Sequence, residues 1–199
     1  MSVVSGTEHR SAEHSQVAAL TGLTASMAIP PALVVVGIIA LGWSAVDWGS
    51  AIVWGVIATV AFTLFSMLGT AMGMTRMDLL DLLGSMVAEP GSSAARWTGA
   101  VIHHMNGAVL ALAWVYGAAL LGVPTNWVTA LVWAVVLTGL ALWMMSTIGV
   151  AHPAMRAHRQ DDPGPAATNF GSMTPVGSLM GHLVYGLVLG LGYSLWPLG

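Results

Sequence analysis

The chain has 199 residues, of which 7% are charged and 56% hydrophobic, and its mean hydropathy is +0.81. A soluble domain of this length carries about a quarter charged residues to cover its surface, and five arginines, no lysine and eight carboxylates cannot do so. The small net charge of −3 argues against a nucleic-acid partner, and the absence of cysteine removes disulfides, thiolate ligands and Cys nucleophiles.

The remaining solvent is a lipid bilayer. Crossing its hydrocarbon core takes roughly 20 mostly apolar residues in a helix. An N-terminal tail, 1–17, carries Arg10 and two histidines, His9 and His14, expected to face water. The first apolar run covers 18–43, and its Pro30-Pro31 pair predicts a kink or a break. This run is longer than a signal-peptide core and has no small-residue cleavage site ahead of a soluble domain, so its removal is not expected. The second span is 50–73. A connection follows in which 74–88 is apolar except for Arg76, Asp78, Asp81 and Ser85. The last three share one helical face, which predicts a short interfacial or re-entrant helix that Glu89 and Pro90 terminate.

The third span is 97–121, the fourth 127–150 and the fifth 176–195. No strand alternation is present, so the fold class is an all-α polytopic bundle of about five spans, read as one domain. The connection 151–175 between the fourth and fifth spans is polar and rich in proline and glycine, which predicts a solvated loop without long helices.

Orientation follows from the basic residues. Arg10, Arg76, Arg96, Arg156 and Arg159 all fall on one side of a five-span topology, while the other side carries only Asp47. Positively charged loops favour the cytoplasm, so the N-terminus is expected inside and the C-terminus outside, in a bacterial inner membrane. Trp43, Trp48, Trp127 and Trp196 mark the outer boundary and Trp97 the inner one. Trp54, Trp114, Trp133 and Trp143 lie deeper and read as packing residues.

Ionisable groups inside a membrane span are costly, and each is a functional candidate. His103 and His104 fall about 10 Å into the third helix from its arginine end, His182 reaches a similar depth on the fifth, and His152 ends the fourth. Gly99, His103 and Gly107 share one face of the third helix, and Ser178, His182, Gly186 and Gly190 share one of the fifth. Small residues at this spacing allow close helix approach. The histidines are therefore expected on packing faces that point into the bundle, with His104 turned about 100° away from His103.

Imidazoles and carboxylates at one depth suit a transition metal such as iron, zinc or copper. The candidate ligands are His103, His182, Asp78 and Asp81, with His104 and His152 as further members. The plainer alternative makes the histidines interhelical hydrogen-bond donors and pairs the aspartates with Arg76 and Arg96. The alternative cofactor is a haem held between His103 and His182. Thirteen methionines suggest copper(I), but no Met-x-x-Met series flanks the histidines, and packing accounts for them better. Phosphate-binding loops, hydrolase elbows, zincin motifs and dinucleotide fingerprints are missing, and no inverted repeat relates two halves.

Met77-Asp78, Leu83-Gly84-Ser85-Met86, a third helix with His-x-x-Gly or His-x-x-x-Gly spacing and Tyr116, and the closing Gly181-His182-Leu183-Val184-Tyr185-Gly186 form a recurring pattern over 69–193. It resembles a group of small, largely uncharacterised bacterial multi-helix inner-membrane proteins. The resemblance implies a helical inner-membrane protein and carries no activity or catalytic residue with it. Three roles are then open. The first is a His/Asp site for metal or protons in the cytoplasmic third. The second is an accessory subunit packed against a larger membrane complex, and the third a small transporter or channel working as an oligomer.

Overall fold

A computed structural model describes the backbone of residues 3–198 and the side chains from Gln16 to Leu198. His9, His14 and Arg10 lie outside the described side chains. The elements are α1 (Val3–Leu41), α2 (Trp48–Ala71), α3 (Leu79–Gly84), α4 (Ser93–Leu121), α5 (Trp127–Thr147), α6 (Pro153–Arg156) and α7 (Thr174–Leu195), with no strand among the described residues. Among the described residues, five segments are long and apolar enough to cross a membrane: Gln16–Leu41, Trp48–Ala71, Ser93–Leu121, Trp127–Val150 and Thr174–Leu195. The chain is an all-α, multi-pass membrane protein.

Local chemistry sets the helix ends. Asp47 caps α2 by accepting from the Ser50 amide at 2.9 Å. Ser92 caps α4 by accepting from the Ala95 amide at 3.0 Å. Asn126 and Thr129 bond each other's backbone in a capping box that starts α5. Gly122, at φ 65°, closes α4 in the left-handed conformation that glycine adopts without strain.

Of the kink or break expected at Pro30-Pro31, the break does not occur, because α1 continues through both residues. What the prolines remove is two amide donors, so the carbonyls of Ser26 and Met27, four residues earlier, lose their helical partners.

The five long helices close into a ring in the order α1, α4, α2, α7, α5 and back to α1, each packed chiefly on its two neighbours. Glycines make the closest joints. A methyl group on Gly107 would collide with Thr59 of α2, and one on Gly55 would lie 2.7 Å from the Ala111 methyl of α4. Methyl groups on Gly186 and Gly190 would stand 2.6 Å and 2.5 Å from backbone atoms of Ala130 and Trp127 in α5. Gly99 lies against Leu80 and Gly84 of α3. The four glycines expected at packing faces are thus all occupied within the chain, while Ser178 lines a cavity instead.

At one end, Trp43 and Trp48 stack with ring centroids 3.7 Å apart, and Trp48 Nε1 donates to the fully buried Tyr116 hydroxyl at 3.1 Å. Trp43, Trp127, Trp196 and, at the opposite end, Trp97 are exposed, as headgroup-level indoles should be. Trp143 departs from its expected buried position: it is 45% exposed, with one edge against Gly22 of α1.

At the arginine end, the 74–88 connection holds less helix than its pattern suggested, and the 151–175 connection is more buried. Only six residues of 74–88 form a helix, α3, whose N-cap is Asp78. The 151–175 segment is not merely solvated. His152, Ala154, Met155, Pro163 and Ala167 are buried in it, and Met155 and Ala167 join Leu23, Leu82, Met145 and Ile148 in a second apolar cluster. The two connections are tied together by Arg76, whose amide donates to Phe170 O at 2.7 Å and whose guanidinium donates to Asn169 O at 2.8 Å.

Candidate functional site: a histidine-lined cavity inside the helix ring

The ring encloses a cavity of about 380 Å³ with mostly apolar walls. Its floor is made by the 74–79 and 167–174 segments, at the end that carries Arg76, Arg96, Arg156 and Arg159. Thr174, almost fully buried, donates to Thr75 at 2.9 Å across that floor. The principal polar side chains on the walls are His103 and Asn106 from α4, Ser66 from α2, and Ser178 and His182 from α7.

His103 and His182 do meet at one depth, as the spacing of the sequence implied. Between them stands the buried ring of Phe62, 5.3 Å from His103 and 5.0 Å from His182 by ring centroids, edge-on to both. Gly181 lets it stand there, since a methyl at that position would come within 2.8 Å of the Phe62 ring. His182 Nδ1 lies 2.8 Å from Ser178 O. A carbonyl oxygen only accepts, so Nδ1 carries the hydrogen and the neutral ring presents a lone pair at Nε2. His103 Nε2 is buried without any hydrogen-bond partner. A smaller space of about 40 Å³ adjoins the same two histidines, with Thr59, Asn106 and Tyr185 on its walls. The Tyr185 hydroxyl donates to Gly107 O at 2.7 Å and so fixes α7 against α4.

The other predicted ligands are elsewhere. His104 is half-buried, its Nδ1 2.7 Å from Ala100 O, and does not line the cavity. Asp78 is exposed and accepts from Arg96 Nε at 3.1 Å, the ion pair that the plainer reading foresaw. Asp81 accepts from the Gly91 amide at 2.7 Å and from Gln160 at 3.4 Å. His152 is completely buried under α3, with Nε2 donating to Leu82 O at 3.0 Å and lying 3.4 Å from Ser85 Oγ. Among the described residues, no three His, Asp or Glu side chains gather closely enough to hold a metal ion. The carboxylates stay out because Asp78 caps the short helix and pairs with Arg96, while Asp81 accepts from Gly91 and Gln160, all at the arginine end.

Sequence reasoning passed over Phe62 and Asn106, and named Tyr185 only as part of a recurring motif. Asn106 carried a usable signal, because it is an amide within a membrane span, three residues after His103 and therefore near its face. Phe62 carried none, since an aromatic in an apolar span is ordinary. No protein-family model, no curated protein and no solved structure matches the chain.

Proposed function

We propose that this protein binds a small, largely apolar molecule from the bilayer in the cavity at the centre of its helix ring, with His103 and His182 reading the molecule's polar end. The observation that carries the reading is the unpaired, buried His103 Nε2 beside a cavity of about 380 Å³. That volume lies within the range of small-molecule sites, which combine apolar walls with a few polar groups. A buried ring nitrogen without a partner costs about 1–3 kcal/mol, which a bound polar group would recover. Native mass spectrometry of protein extracted gently from its membrane tests the idea. A bound mass is expected on the wild type and missing from Ala141→Phe, which fills the cavity. Equal spectra, with no mass on either, would overturn it.

A transition-metal role is a second reading, favoured by one observation. A ligating histidine usually donates its other ring N–H to a carbonyl, as His182 does to Ser178 O. Six methionines on the cavity wall or floor, among them Met77, Met144 and Met145, would suit a soft ion such as copper(I). Metal analysis of the wild type against His103→Ala decides it, and retention of metal by the variant would count against it.

The proposed setting is a bacterial inner membrane with the arginine end in the cytoplasm, supported by Arg76, Arg96, Arg156 and Arg159 at one end against Asp47 at the other. Single cysteines in the cysteine-free chain at Ser44 and Thr168 allow a direct check. An impermeant maleimide should label the first from outside intact cells and spare the second. For an accessory-subunit role, the glycine faces are poor docking surfaces, because Gly99, Gly107, Gly186 and Gly190 are already packed within the chain.

A further inference from the structure

We infer that the molecule bound in the cavity is a neutral aromatic alcohol, a lipid-soluble phenol or hydroquinone, that donates its hydroxyl hydrogen to the protein. The inference rests on the cavity reading above and adds the chemical class of the ligand.

Charge comes first. No arginine, aspartate or glutamate lines the cavity among the described residues. An ion taken from water into such a space would lack a counter-charge, and burying an isolated charge is prohibitive. The occupant is neutral.

Hydrogen-bond polarity comes second. His182 Nδ1 is committed to Ser178 O at 2.8 Å, so Nε2 of the neutral ring is an acceptor. Ser26, Met27, Pro30 and Pro31 of α1 also line the cavity, and the two prolines leave the Ser26 and Met27 carbonyls without helical donors. α1 and α7 are not neighbours in the ring, so these two sets of acceptors belong to separate walls. His182 Nε2 selects a group that donates to it, and the Asn106 amide and Ser66 hydroxyl on the facing walls can donate to the oxygen of that same group, which a hydroxyl satisfies on both counts. One hydroxyl satisfies His182, and a second, as in a hydroquinone, suits the α1 wall.

The third consideration is shape. Phe62 and Phe65 line the space together with the thioethers of Met77, Met144 and Met145. Phenyl edges and polarisable sulfurs both favour an aromatic ring as neighbour.

The test uses the full chain in lipid nanodiscs, with empty nanodiscs as the blank for partitioning. The probes are 4-hexylphenol, its methyl ether 4-hexylanisole, and 4-hexylbenzoate. Saturable binding of the phenol is expected at least tenfold tighter than that of the ether, with no saturable binding of the benzoate. His182→Phe, which keeps the ring and removes the acceptor, should bring the phenol down to the level of the ether. If that variant fails to fold, the comparison of phenol with ether on the wild type still decides, and Ala141→Phe should abolish binding of both. Equal affinity for ether and phenol would overturn the donor inference and leave the cavity reading standing. Tighter binding of the benzoate would overturn neutrality. Failure of every probe to saturate the wild type would overturn both the inference and the reading beneath it.

Discussion

The contact of α3 with α4 gives the sharpest test of how this bundle is held together. A methyl group added at Gly99 would lie 2.7 Å from the Leu80 carbonyl carbon and 2.9 Å from the Gly84 amide nitrogen, where ordinary contact begins at 3.4 Å. Both obstacles are backbone atoms, so no rotamer change relieves them, and α3 must move bodily away. Overpacking of this kind costs about 1–3 kcal/mol. The gain in helix propensity from glycine to alanine, at most about 1 kcal/mol, offsets part of it. Gly99→Ala is therefore expected to destabilise the protein by about 1–2 kcal/mol net. Gly139 on α5 is the control, because nothing stands within 4 Å of the added carbon. Gly139→Ala should be neutral or stabilising by up to about 1 kcal/mol. Unfolding in mixed micelles by titrated SDS, followed by tryptophan fluorescence and far-ultraviolet circular dichroism, measures the gap between the two variants. Equal midpoints for Gly99→Ala and Gly139→Ala would refute the close crossing of α3 over α4.

Other substitutions probe single contacts. Asp47→Ala removes the α2 cap and should cost about 0.5–2 kcal/mol near neutral pH. Hydrogen bonds from the Ser50 hydroxyl and amide hold the Asp47 carboxyl below its ordinary value of 3.8. Its contribution is then complete above that value and lost as pH falls through the lower, folded one. The variant and the wild type should converge only in strong acid, as midpoints measured from pH 7 down to pH 2 would show. Tyr185→Phe deletes the 2.7 Å bond to Gly107 O and should cost about 0.5–1.5 kcal/mol by the same SDS titration. His152→Ala empties a fully buried position under α3 and should cost about 2–4 kcal/mol. Arg96→Ala breaks only an exposed ion pair with Asp78, so a loss above about 1 kcal/mol would contradict its surface placement.

The long helices were legible because the bilayer imposes one requirement on each of them. A run of about 20 apolar residues must satisfy its backbone internally, so hydropathy alone locates it. The 50–73 and 127–150 spans accordingly fall within two residues of the segments Trp48–Ala71 and Trp127–Val150. The prolines leave α1 continuous for a local reason. Pro30 and Pro31 each remove a donor, but a membrane helix tolerates the loss of two i+4 bonds without breaking, because local adjustment can satisfy the freed carbonyls. The 151–175 segment misled because proline and glycine report backbone freedom and say nothing of burial. Met155 and Ala167 pack beneath Leu23 and Leu82 through contacts distant in sequence.

The same distinction explains how much of the site could be read. Helical phase brings His103 and His182 to one level and turns both inward, because phase and depth are properties of single helices. Whether Asp78 and Asp81 join them depends on where a six-residue helix docks, which phase does not determine. Asp78 caps that helix and pairs with Arg96, and Asp81 accepts from Gly91, so both carboxylates have partners at the surface. The imidazoles are left facing an apolar space with one nitrogen unpaired. A carboxylate with partners near water gains nothing by entering that space, whereas a neutral imidazole, which carries no charge to desolvate, can remain in it. That asymmetry turns the expected His/Asp cluster into a cavity with two histidines and no charge.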